Sequence, residues 1–151
     1  MTVATGAGAR SSDAEKFDLA APLPVMSRQV TQSVIDAYAA ASGDRNPIHV
    51  DPEFAAAGPF GRTIAHGLMT LAYVSEMLNR WTGGAFDENG EIDIAFVAPV
   101  FAGDQVDVTG ELEEICDREG RRVARIRLVC KAGDRQILAG HAYQPTNAEN
   151  K

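Results

Sequence analysis

Between Ala41 and Asp51 the chain reads A-S-G-D-R-N-P-I-H-V-D, and further on Ala65-His66-Gly67 opens an apolar stretch. Asp44 and His49 stand five residues apart. That is too far for one helical face, but a loop folded back at Pro47 can aim both side chains into one pocket. A carboxylate beside an imidazole is an acid–base pair: the imidazole exchanges a proton near neutral pH, and the carboxylate orients it or shares the proton. Bland roles stand beside this one. Asp44 can serve as a cap or turn residue, and His49 can bond a backbone carbonyl.

Gly67 is placed to begin a helix. The first N–H groups of a helix lack intrahelical acceptors, and they sit at its positive end. Such donors suit a carbonyl oxygen that gains negative charge during a reaction. Glycine there lets a ligand approach the backbone closely, although it can also be small for packing alone. Ser75 follows eight residues later, about two turns along, on nearly the same face. It can orient Asp44 from behind, or simply bond the carbonyl one turn back. Asn46 can hold the loop by an Asx-type bond. His66 reads as a capping or core histidine, and His141 as structural. Arg121, Arg122, Arg125 and Arg127 read as a solvated sheet face.

Elements must position these groups. Pro24 to Val30 allows a short strand. Thr31 reads as the N-cap of a helix carrying Val34, Ile35, Tyr38 and Ala41, and Gly43 as its stop. Asp44 to Val50 reads as loop, since Pro47 lacks an N–H and pushes Asn46 out of the α region. Asp51-Pro52 reads as cap and first residue of a short helix ended by Gly58-Pro59. From Gly67 to Trp81 apolar residues fall on nearly every side, so this helix is expected inside, wrapped by other structure. After Gly83-Gly84 the period becomes two. Ile92, Ile94 and Phe96, then Val106 to Leu112, then Ala124 to Cys130, then Ile137, Ala139, His141 and Tyr143 mark apolar faces. Asp117 to Gly120 and Gly133 to Arg135 are turns between them. The expected class is α+β, an antiparallel sheet with one apolar face packed on one long helix.

The chain has 151 residues, enough for one domain with a core that needs no disulfide or metal. Residues 1–16 are expected to be a disordered tail, 17–145 the domain, and 146–151 a frayed end. The net charge of −7 argues against nucleic acid or anionic membranes as partners. No stretch has the roughly 20 apolar residues that span a bilayer. With no signal peptide evident, the expected location is cytoplasmic. Cys116 and Cys130 are expected to be reduced thiols that could face each other across a hairpin. No ligand set for a metal or redox cofactor is visible.

S-G-D-R-N-P-I-H-V-D followed by A-H-G-L-M resembles the MaoC-like (R)-specific enoyl-CoA hydratases and hydroxyacyl-thioester dehydratases. A-F-V-A-P-V-F-A-G-D, residues 95–104, resembles the strand and turn that follow their helix. The resemblance covers about residues 23–144. It implies a hot-dog fold, a homodimer or higher oligomer, and a thioester tunnel near the dimer interface. It implies Asp44 and His49 as catalytic residues, the Gly67 amide as oxyanion donor and Ser75 as support for the aspartate. The implied activity is reversible hydration of trans-2-enoyl thioesters to (R)-3-hydroxyacyl thioesters, in fatty-acid metabolism, without a cofactor. The acyl carrier is coenzyme A or acyl carrier protein; the latter needs basic residues such as Arg45, Arg62 or Arg80. Phe60, Ile64, Leu68, Leu71, Phe86 and Phe96 are candidates for the tunnel lining. Ala95 departs from the basic residue common in the family. Two rivals remain: a hot-dog acyl thioesterase, and an acyl-thioester-binding subunit of a heteromeric dehydratase.

Overall fold

A computed structural model of the chain describes residues 17–146. The expected tails lie outside these residues, apart from Thr146. The elements run β1 (Met26–Gln29), α1 (Gln32–Ser42), α2 (Pro47–Val50), α3 (Pro52–Ala56), α4 (Gly67–Thr82) and α5 (Ala85–Asn89). Strands β2 (Glu91–Phe96), β3 (Gln105–Arg118), β4 (Arg121–Ala132) and β5 (Arg135–Pro145) complete the order. The five strands form one sheet in the order β1-β3-β4-β5-β2, with every pairing antiparallel.

Local chemistry sets the helix ends. Thr31 Oγ1 accepts the Val34 N–H at 3.2 Å, so α1 starts where the side chain replaces a missing carbonyl. Gly43 ends α1 in the left-handed region at φ 80°, returning its N–H to Ala39. Asp51 Oδ1 accepts from both Glu53 and Phe54 at the start of α3. Two expectations on this stretch need correction. The segment read as loop contains one helical turn, α2, because Pro47 suits the first helical position and Asn46 caps it. A short helix, α5, was also not anticipated beyond Gly83-Gly84.

Helix α4 packs Met69, Val74, Met77, Leu78 and Trp81 against Val106, Val108, Ile126, Leu128 and Leu138 of the sheet. Each fully buried aliphatic side chain there contributes about 1.5–3 kcal/mol. The helix is not enclosed on all sides, as its composition suggested: Leu68 is 63% exposed at its start, and Ala72 is exposed too. Trp81 donates its indole N–H to Ala21 O at 2.9 Å, tying the segment before β1 to this layer.

The inner face of β5 is the opposite of the one expected. Leu138, Ala142 and Gln144 are buried, while Ala139, His141 and Tyr143 lie on the outer face. His141 meets Arg125 and Glu113 there, and Tyr143 carries Arg118 over its ring. Ile137 is buried as well: it is the extra residue of a bulge, between Gln136 opposite Lys131 and Leu138 opposite Cys130, and its carbonyl accepts from Val97 and Ala98. Strand β2 crosses β5 very closely at Gly140. A Cβ there would stand 2.2 Å from Asp93 O, and the φ of 150° disfavours side chains in any case.

The arginines do form a solvated face. Arg118 and Arg121 pair with Glu91, Arg125 with Glu113 and Glu114, and Arg127 with Glu111 and Glu113. Such exposed pairs are worth about 0–1 kcal/mol each. The two thiols do not face each other: Cys116 lies opposite Val123 and Cys130 opposite Val108. Burial, with Asp107 adding to it, pushes the Cys130 thiol up to about 12. No helix among the described residues is long and apolar enough to cross a membrane.

Candidate active site

The loop after α1 is held by its own side chains. Asp44 Oδ1 accepts the Asn46 N–H at 3.2 Å, and Asn46 Oδ1 accepts the Ile48 N–H at 3.2 Å. Pro47 starts the single turn of α2, and that turn points His49 inward. His49 is 7% exposed, whereas Asp44 is exposed. Ile64 donates its N–H to Ile48 O at 3.1 Å, stitching α2 to the segment that leads into α4. Gln32 bonds both His49 O and Thr63 Oγ1, which fixes the same junction from α1.

His49 Nδ1 lies 2.7 Å from Ile64 O. A carbonyl only accepts, so Nδ1 carries the proton and Nε2 keeps the lone pair. That is the tautomer of a base whose reactive nitrogen is Nε2. Both bland roles foreseen in the sequence are therefore occupied. Asp44 makes a turn bond and His49 bonds a carbonyl through Nδ1, which leaves His49 Nε2 outside that bond.

A third group joins them. Ligand-capable atoms of Asp44, His49 and His66 all lie within 4.8 Å of one another. The His49 and His66 rings stack with centroids 3.8 Å apart and planes 27° from parallel. His66 Nε2 lies 2.9 Å from Asp44 O. The trio has the composition of a metal site but not its shape. Imidazole lone pairs lie in the ring planes, and near-parallel rings do not converge on one ion at about 2.0–2.1 Å. Proton transfer suits this arrangement better than chelation. As expected, His66 is both the N-cap residue of α4 and buried, and it also reaches the loop that carries Asp44. The signal that it belongs here was its place directly before the glycine of A-H-G.

Gly67 is the first residue of α4, so its N–H has no intrahelical acceptor. It lines a mostly apolar cavity of about 400 Å³ together with Phe60, Ile64, Phe96, Pro99 and Val100. A Cβ on Gly67 would meet the Phe96 ring at 3.3 Å, so the ring rests almost on the helix start. Asp44 and His49 do not line this cavity in the single chain; His66, next to Gly67 in sequence, contacts both of them. Of the six tunnel candidates, Phe60, Ile64 and Phe96 are on its wall. Leu68 is exposed, Phe86 is core, and Leu71 packs against the core.

Ser75 requires a correction. Its hydroxyl donates to Asp87 Oδ1 at 3.4 Å, not to Asp44. Gly83 and Gly84, both in the left-handed region, fold α5 back on α4 and bring Asp87 to Ser75 and Asn79. The basic residues Arg45, Arg62 and Arg80 do not act alike. Arg80 is neutralised by Glu76 at 2.7 Å, while Arg62 lies over the Phe101 ring at 4.6 Å and donates to Ala102 O.

The chain resembles known proteins over most of its length. The family described as MaoC like domain matches residues 16–131. A 3-hydroxybutyryl-CoA dehydratase of Methylorubrum extorquens is 37% identical over 118 residues, 78% of this chain and 74% of that protein. An (R)-specific enoyl-CoA hydratase of Aeromonas caviae is 35% identical over 101 residues, 67% of this chain and 74% of that protein. The solved structure of an (R)-hydratase from A. caviae involved in PHA biosynthesis superimposes with a TM-score of 0.68 at 28% identity. It covers 82% of this chain and 92% of that one. The antiparallel sheet on one long helix is thus the hot-dog fold of these hydratases.

Proposed function

The chain belongs to the MaoC-like domain family and is a hydratase/dehydratase, and from that premise we propose that it adds water reversibly to trans-2-enoyl thioesters of coenzyme A. The product is the (R)-3-hydroxyacyl thioester. The observation that carries this reading is the meeting of Asp44 and His49, with His49 Nδ1 tethered to Ile64 O so that Nε2 is left as base.

His49 Nε2 takes a proton from the water whose oxygen bonds the β-carbon. The electron pair of the carbon–carbon double bond shifts to the α-carbon and the thioester oxygen. Asp44 holds the water and helps return a proton to the α-carbon, so that one water is added in total. The Gly67 N–H faces the enolate-like oxygen as charge builds, and one such donor is typically worth about 3 kcal/mol of barrier. Dehydration runs through the same transition state in reverse.

The acyl chain lies in the cavity walled by Phe60, Ile64 and Phe96. A second copy of the chain closes the site. Leu68, Phe96 and Val97 are large apolar side chains 63%, 47% and 56% exposed around the start of α4, a patch that suits an interface. The assembly is a homodimer or a higher homo-oligomer.

The experiment is an assay of the pure chain on crotonyl-CoA, with gel filtration alongside. Loss of the enoyl absorbance without thiol release, and a product of (R) configuration, is the expected result. Release of free thiol at the rate of substrate loss would identify a thioesterase instead. An inactive pure chain would point to a heteromeric enzyme.

A further inference from the structure

His66 takes no part in the proton transfers just described, yet it touches the ring of His49 and the backbone of Asp44. Its side chain is 3% exposed. Because Asp44 O can only accept, the 2.9 Å contact requires the proton on His66 Nε2 and the lone pair on Nδ1. That Nδ1 is buried and has no hydrogen-bond partner among the described residues. One ring face stacks on His49 at 3.8 Å, and Tyr38 closes on the ring at 4.8 Å. Its own carbonyl accepts the N–H groups of Met69 and Thr70, which fixes the first turn of α4 and hence Gly67.

Stability alone would not choose histidine here. An aromatic hydrocarbon ring would fill the same space between Tyr38 and His49 without burying a bare nitrogen. A group that is costly where it sits, and that joins the Asp44 backbone, the His49 ring and the start of α4, is better explained by geometry that the reaction needs.

We infer that His66 is the positioning residue of this site: its Nε2–H holds the Asp44 peptide, its ring face holds His49, and its backbone aims the Gly67 amide. The inference rests on the acid–base reading above. His66 acts through the other three groups and meets neither substrate nor water. Misplacing reacting groups by about 1 Å can cost on the order of a hundredfold in rate, so the readout is turnover rather than binding.

The test compares His66→Phe and His66→Gln with wild type in crotonyl-CoA hydration, with kcat, KM and thermal melts measured on each. Phenylalanine keeps the stack and fills the space but has no N–H. Glutamine restores an N–H near the position of Nε2 but has no ring. The expected result is a kcat at least about tenfold lower in H66F, with KM within roughly twofold and a Tm loss no larger than one hydrogen bond accounts for, roughly 2–4 °C; H66Q regains part of the rate. A merely space-filling histidine gives the opposite order. H66F would then work like wild type, and H66Q would be poorer in proportion to its lower Tm; that result overturns the inference. Where H66F gives no cooperative melt, His66→Met fills the space without a donor and makes the same comparison against H66Q. Asp44→Asn, run beside them, separates the two readings. If D44N keeps wild-type turnover, the proposed chemistry fails; if D44N loses it and H66F does not, only the role of His66 fails.

Discussion

Replacing Gly67 with alanine separates the chemical from the structural use of this residue. The added Cβ would lie 3.3, 3.4 and 3.5 Å from three carbons of the Phe96 ring. Optimal carbon contacts are about 3.5–4.0 Å, so the ring must retreat by a few tenths of an ångström. It is 47% exposed and can do so cheaply. Alanine is favoured over glycine by up to about 1 kcal/mol within a helix, and by less at its first residue. These effects nearly cancel, leaving about ±0.5 kcal/mol, or roughly 1–2 °C in Tm for a chain of this size. Activity is a different matter. Alanine keeps the N–H, but its methyl group stands beside it and obstructs the close approach of the thioester oxygen; if that contact is lost, the cost is that of one such donor, about 3 kcal/mol, or on the order of a hundredfold in kcat. Steady-state hydration of crotonyl-CoA and a thermal melt on the same preparation measure both. A G67A variant with wild-type kcat would refute the oxyanion role. One that loses about 3 kcal/mol of stability together with its activity would show that the residue is glycine for packing.

Three further outcomes follow from the same geometry. Gly140→Ala drives a Cβ against the backbone of β2, which cannot yield as a side chain does, so stability falls by at least about 2 kcal/mol, or roughly 4–8 °C. A melt within a degree of wild type would contradict the close crossing of β2 and β5. The Cys130 thiol, pushed from its ordinary 9.0 to about 12 by burial, keeps in the native state a proton that the unfolded chain releases. Its contribution is complete below pH 9 and declines as pH rises toward 12, so Tm falls with pH more steeply in wild type than in Cys130→Ala; equal slopes would deny the effect. Phe96→Ala enlarges the cavity beside Gly67, so KM for longer enoyl chains drops relative to crotonyl-CoA, and an unchanged chain-length profile would take Phe96 off the acyl wall.

What the sequence disclosed was mainly local. Thr31, Gly43 and Asp51 close hydrogen bonds with residues two to four positions away, so their roles are written in short stretches of chain. The long helix and the antiparallel strands follow from periods of 3.6 and two. The face of β5 did not follow: His141 and Tyr143 have apolar bodies with polar tips, and a bulge at Ile137 shifts the pairing with β4 so that Leu138 and Ala142 face inward. Ser75 was misread for a similar reason, since its partner Asp87 arrives only when α5 folds back. The candidate site was half legible. Asp44, Asn46 and His49 share one loop and one motif. The link between Asp44 and His66 spans 22 residues and exists only once α2 is stitched to the segment before α4.

The central claim is that Asp44 and His49 act as one acid–base unit. The most direct measurement is the kcat of crotonyl-CoA hydration for Asp44→Asn, His49→Ala and the double variant, each shown to be folded by its melt. Each single change should lower kcat by about 10²–10⁴, and the double change should cost little more than the worse single one, because groups that work together are not additive. A folded double variant turning over near the wild-type rate would contradict the account.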